Sequence, residues 1–191
     1  MLRDGAKRFN VFVSAGALSG GFLPHILSLF MIVRFTKNLP ASEADTLTCV
    51  RPDGSTTTEA MPRQGILPHA AFHFVVESTL GWHDALFGKV AAGESLEEVA
   101  LRVHGRNLKR ARPTQTLQSE SLVECLQAGQ WEGSADPATF RQRLIAACRR
   151  RGVLPPKITA DEIERIRRAL REFGAAWRPL SPHGSLERSF L

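Results

Sequence analysis

Three titratable side chains stand inside an otherwise apolar run from Ile66 to Leu80, at the spacing His69-x-x-x-His73-x-x-x-Glu77. Side chains four apart on a helix stack along one stripe, so the two imidazoles can reach one metal ion or one substrate. Histidines at i and i+4 can both turn a ring nitrogen toward a tetrahedral zinc or another divalent ion, with a third ligand arriving from elsewhere. His83, Asp84 and His104 are the nearest candidates for that ligand. Glu77 stands a rise of roughly 12 Å along the helix from His69. It can therefore share a site with His73 or accept a hydrogen bond from it, but is too far to join both histidines on one ion; as a catalytic base it is the weakest of these candidates. The competing account makes both histidines core residues satisfied by backbone carbonyls, the commoner outcome for a bare His-x-x-x-His.

The site depends on a helix. Pro68 suits a first helical position, where its missing N–H is no loss, and Gly81 can close the C-terminus. At about 100° per residue, His69, His73, Val76 and Leu80 share one face, Ala71 and Val75 lie nearly opposite, and Glu77 and Ser78 alone leave room for a solvated side. A helix apolar around most of its circumference is buried, which puts the histidines within or beside the core.

The string Leu67-Pro68-His69, His73-Phe74-x-Val76-Glu77, then Leu80-Gly81 and Phe87-Gly88-x-Val90-Ala91-Ala92-Gly93 resembles a family of small, functionally uncharacterised bacterial proteins, over roughly Met31 to Gly105. The resemblance implies that the His/Glu helix and its Gly-containing sequel form one unit, and it carries no activity to transfer. Members of that family usually have Asp directly after the first histidine, where this chain has Ala70. A zincin-type hydrolase needs a carboxylate there as general base, so Ala70 argues against that chemistry.

Around this helix the chain reads as strands first and helices afterwards. Met31 to Thr36, Thr46 to Arg51 and Ser55 to Met61 are β-rich, with Pro52-Asp53-Gly54 as a hairpin turn. Trp82 to Ala92 reads as a second helix, and Ser95-x-x-Glu98 is a capping box for a third that ends at Gly105. Ser119 to Gln127 is helical. Asp136-Pro137 opens a further helix ending at Gly152, and Thr159-x-x-Glu162 caps the last, whose apolar stripe is Ile163, Ile166, Leu170, Phe173 and Trp177. The expected fold is α+β: a small N-terminal antiparallel sheet followed by a helical majority. Residues 31–105 form the α+β core, residues 106–180 a helical region packed on the same domain, and residues 181–191 a loose tail.

Residues 1–30 read differently. From Phe9 to Val33 there is no Asp, Glu, Lys or Arg, and Lys7-Arg8 precedes the run, imitating a signal or anchor. Asn10, Gly20-Gly21, Pro24 and His25 interrupt it, while Met31 opens both the first strand and the family resemblance. The expectation is an extension outside the fold proper; a membrane role follows only if residues 9–33 act as an anchor. Cys49, Cys125 and Cys148 are odd in number and widely spaced, fitting reduced core thiols and a cytoplasmic protein.

The net charge of +6 is uneven. Arg106, Lys109, Arg110 and Arg112 form one cluster, and Arg149, Arg150 and Arg151 end a helix in another, where cations are also favoured by the helix dipole. Such clusters can neutralise phosphates of a polyanion, although no RNP, KH, zinc-finger or helix-turn-helix signature supplies base readout. Two functional expectations result. The preferred one is a non-enzymatic interaction module that docks a protein partner or a polyanion through its basic helical half; the alternative is a divalent-metal protein, or a metal-dependent hydrolase or lyase, built on His69 and His73.

Overall fold

The computed structural model describes residues 29–63, 66–104, 113–132 and 136–191, without the side chains of residues 103–104 and 130–132. Four strands, β1 (Met31–Thr36), β2 (Ala44–Val50), β3 (Thr56–Pro62) and β4 (Ser185–Phe190), and six helices, α1 (His69–Leu80), α2 (Leu86–Ala91), α3 (Leu96–His104), α4 (Thr114–Glu132), α5 (Pro137–Arg150) and α6 (Ala160–Trp177), follow one another with only β4 out of the strands-then-helices order. The fold is α+β, as the segregation of patterns implies.

The sheet is antiparallel throughout, in the order β3-β2-β1-β4. Strict alternation in β1 and β2 buries Met31, Val33, Phe35, Leu47 and Cys49 on one face. The other face carries polar cross-strand pairs, Arg34 with Glu187, Thr36 with Ser185 and Thr48 with Thr58. The buried face meets the helices through aromatic edges: Phe35 packs against Phe74 of α1 at 5.9 Å and Phe173 of α6 at 5.0 Å between ring centroids. Helix α1 in turn packs against α4 and α6, so it lies between the sheet and the helical half.

Local signals set most helix boundaries. Asp136 accepts the N–H groups of Ala138 and Thr139, Thr159 and Glu162 form a reciprocal capping box, and Ser95 and Glu98 form another. Helix α4 is longer than Ser119 to Gln127, and α2 begins at Leu86 rather than Trp82, for a reason that lies in Glu77 and is given below. The three cysteines are free and buried, and burial pushes the thiols up, Cys49 to about 12 and Cys125 to about 11. Among the described residues no helix is long and apolar enough to cross a membrane. Residues 1–28 lie outside the described residues, and with them most of the uncharged run from Phe9 to Val33, whose last three residues, Met31 to Val33, belong to β1.

The expected loose tail is a strand instead. Six residues from Ser185 to Phe190 pair with β1 from Thr36 back to Met31, and Phe190 is 2% exposed against Phe74 and Phe87. The polar residues Ser185, Glu187 and Ser189 alternate with half-buried or buried ones, and only pairing with a distant strand gives that alternation a core to face. Phe190→Ala is expected to destabilise the protein by about 3–5 kcal/mol, as truncation of a core ring does. Urea unfolding monitored by tryptophan fluorescence measures this, and an unchanged midpoint would contradict the packing of β4 described here.

Candidate metal centre

Helix α1 presents the site because it is buried along almost its whole length. From Ala71 to Glu77 every residue is buried. Pro68 stands at the N-cap, one position earlier than expected, and its carbonyl accepts the N–H of Ala71 at 2.9 Å. Gly81 ends the helix in the left-handed conformation, φ 64°, which a side chain would disfavour.

His69 and His73 face each other across one turn, Nε2 to Nε2 at 3.2 Å. The outer nitrogens of both rings have partners. His69 Nδ1 donates to Gln127 Oε1 at 3.2 Å, and His73 Nδ1 donates to Ser119 Oγ at 3.1 Å, with Glu77 Oε1 beyond at 3.5 Å. The two Nε2 atoms thus meet at hydrogen-bond distance, and either a proton on one ring or a cation between the rings would join them. Glu120 of α4 approaches the same point, its Oε1 3.4 Å from His73 Nε2. Donor atoms of His69, His73 and Glu120 all lie within 4.8 Å of one another.

Glu77 is wholly buried and fully occupied. Its Oε2 accepts the N–H of Phe87 at 2.7 Å, and its Oε1 accepts the N–H of Leu86 at 3.2 Å and the hydroxyl of Ser119 at 3.4 Å. This carboxylate takes up the first free N–H groups of α2, which is why that helix starts at Leu86. Gly88 allows the close fit: a Cβ there would come 2.2 Å from the carbonyl oxygen of His83. The solvated side expected for Glu77 is thus replaced by α2 and α4, which a single-helix periodicity cannot include.

His73 is 3% exposed. Burial pulls its pKa down, but the hydrogen bond to Glu77 and the charges of Glu120 and Glu77 outweigh burial, and the net direction is upward.

Among the described residues the acidic or imidazole group that joins the two histidines is Glu120, and neither His83 nor Asp84 does. His83 is exposed and lies edge-on to Phe190 at 6.2 Å, and Asp84 is ion-paired with Lys89. The side chain of His104 lies outside the described residues. Glu120 was not singled out in the sequence; it shares a face of α4 with Thr116, Ser119 and Gln127, polar residues at helical spacing that lie along the histidines only once α4 packs on α1. Of the basic clusters, Arg150 and Arg151 both bind the Glu124 carboxylate of α4, and Arg149 is exposed. Arg106, Lys109, Arg110 and Arg112 lie outside the described residues.

Searched against known protein families, curated proteins and solved structures, the chain matches none.

The raised His73 pKa has a consequence for stability in the metal-free protein. With the folded-state value above the ordinary 6.5, protonated His73 stabilises the fold. That contribution is fully present below the unfolded-state pKa and is lost as pH rises through the folded one. Urea unfolding in chelator, repeated from about pH 6 to about pH 9, is expected to show declining stability for wild type and a flatter profile for His73→Gln. Parallel profiles for the two proteins would remove His73 as the source.

Proposed function

We propose that the protein holds one divalent transition-metal ion, zinc in the first instance, between His69 Nε2, His73 Nε2 and Glu120. The observation that carries this is the gathering of one donor atom each from His69, His73 and Glu120 within 4.8 Å of one another, with the Nδ1 atoms of both rings turned to other partners. Metal–nitrogen bonds of about 2.0–2.1 Å at tetrahedral angles put neighbouring ligand atoms about 3.3 Å apart. The separations of 3.2 Å between the imidazoles and 3.4 Å from His73 to Glu120 are close to that edge length. A proton at His73 Nε2, facing both His69 Nε2 and Glu120 Oε1, is the competing occupant, and elemental analysis separates the two.

The surroundings support the same reading. Metal-bound histidines donate their second N–H to a carboxylate, carbonyl or hydroxyl, which fixes tautomer and ring orientation. Gln127 does this for His69, and Ser119 with Glu77 does it for His73. Ser119 and Glu77 are buried, while His69, Glu120 and Gln127 are only half-buried and leave a route for an ion.

His69, His73 and Glu120 would hold the ion, and a zinc ion bound by two histidines and one carboxylate would supply Lewis acidity and lower the pKa of a bound water toward neutrality. The chain's own residues contribute less to a reaction. Ala70 has no proton acceptor, and Glu77 orients His73 while holding α2 in place, so neither serves as a general base. Metal retention is therefore the function assigned, and no substrate. The basic-module alternative is weaker, because Arg150 and Arg151 already share the Glu124 carboxylate.

Protein purified without a histidine tag is expected to retain about one zinc per chain by elemental analysis, and His73→Ala to retain none. Glu77→Gln should weaken zinc binding about 10–100-fold by disturbing the orientation of His73. Wild type that holds no zinc, and whose unfolding midpoint is the same with zinc as with chelator, would exclude the site.

A further inference from the structure

A second candidate site lies away from the histidines, in a groove of about 610 Å³ lined by α4, α5, α6 and the segment before α1. Its floor is apolar: Leu67, Leu126, Phe140 and Leu170 are buried core residues, with Cys125 beside them. Helix α6 contributes one continuous stripe, Arg167, Leu170, Arg171, Gly174, Ala175 and Arg178, spaced three and four apart as one face of a helix requires. That stripe runs roughly 16 Å along the axis. Gly174 and Ala175 are small, so the groove stays deep between the arginines.

The charge around this floor has one sign. Arg143, Arg167, Arg171 and Arg178 line the groove, and no Asp or Glu is among its described lining residues. Arg167 is held over the Phe140 ring at 5.3 Å and bonds Glu164 at 2.6 Å, which fixes one guanidinium at the rim. Arg171 and Arg178 are exposed and make no ion pair among the described residues. An apolar lining with cations at its margin is complementary to a ligand with an apolar body and an anionic head.

We infer that this groove binds a long-chain carboxylate, its hydrocarbon chain on the Leu67–Leu126–Phe140–Leu170 floor and its carboxylate on Arg171 and Arg178. Each methylene buried contributes about 0.8 kcal/mol, so chain length sets affinity, and guanidinium groups select for a planar carboxylate. The volume suits one acyl chain and not the paired chains of a phospholipid. This inference does not depend on the metal centre.

Isothermal titration of the full chain with dodecanoate, at concentrations below micelle formation, tests it. One dodecanoate per chain is expected, with dodecanol bound at least about tenfold more weakly and butyrate not detectably, since each lacks one half of the recognition. Arg171→Ala with Arg178→Ala should weaken dodecanoate about tenfold or more, and Ala175→Trp, which fills the floor from an exposed helix position, should abolish binding. Unchanged far-UV circular dichroism shows that both variants keep the fold. A carboxylate bound instead to a metal at His69 and His73 would persist in Ala175→Trp. Absence of dodecanoate binding, equal binding of dodecanol, or binding that survives Ala175→Trp overturns the inference. So does binding of an acidic amphipathic peptide in place of dodecanoate, which would make the groove a protein-docking surface.

Discussion

The arrangement of α1, α2 and α4 depends on one buried carboxylate. Removing an ionised acid from water costs several kcal/mol unless charge and hydrogen bonds replace its hydration. Glu77 receives that replacement from two backbone N–H groups of α2, the hydroxyl of Ser119 and the imidazole of His73. Three helices are therefore held in register by the requirement to satisfy one side chain. A shift of α2 by a residue, or a rotation of α4, would leave an acid unsatisfied in the interior, a heavier penalty than the loss of any single apolar contact nearby.

This requirement also orders the histidines. Away from Glu77 the interior is dry and aromatic, with Phe35, Phe74, Phe87, Phe173 and Phe190 meeting edge to face or at a tilt. A phenolic hydroxyl in the middle of such a cluster would need a polar partner, so phenylalanine suits these positions better than tyrosine. The polar layer is confined to the α1–α4 seam. There it grades outward, from buried Glu77 and Ser119 through His73 to the half-buried His69 and Glu120. Glu77 and Ser119, which orient His73, lie inside, and the half-buried His69, Gln127 and Glu120 lie toward the surface.

What was legible in the sequence was what local chemistry determines. Asp136, Thr159 with Glu162, and Ser95 with Glu98 announced their helices because a cap is an interaction across three residues. Pro52-Asp53-Gly54 announced the hairpin for the same reason, Gly54 taking φ 84°. The relation of His69 to His73 was legible because four-residue spacing on one helix places them together. Glu120 and β4 were not, since each acquires its role from an element far away in the chain. Ser185 to Phe190, with only Leu186 and Phe190 as large apolar residues, has too little hydrophobic pattern to signal a strand until β1 is alongside. Glu77 was misplaced on a solvated side by the same limitation: periodicity describes which side of a helix differs, and says nothing of what covers it.

Charge shows the distinction most directly. A net +6 and a run of arginines at the end of α5 suggest an anionic partner at that helix end, yet Arg150 and Arg151 both lie on Glu124, which offsets one of their two charges within the fold. Exposed ion pairs of this kind contribute little stability, but they weaken the field that a phosphate would follow. The arginines that line the groove come from α5, α6 and the residue that caps α6, Arg178, and sequence position alone does not mark them off from neighbouring Arg165 and Arg168. Their significance comes from the helix period, which brings Arg167, Arg171 and Arg178 onto one stripe with Leu170 and Gly174 between them. A binding surface on this protein is defined by cations beside desolvated hydrocarbon, and the density of charge in the sequence is a poor guide to where that occurs.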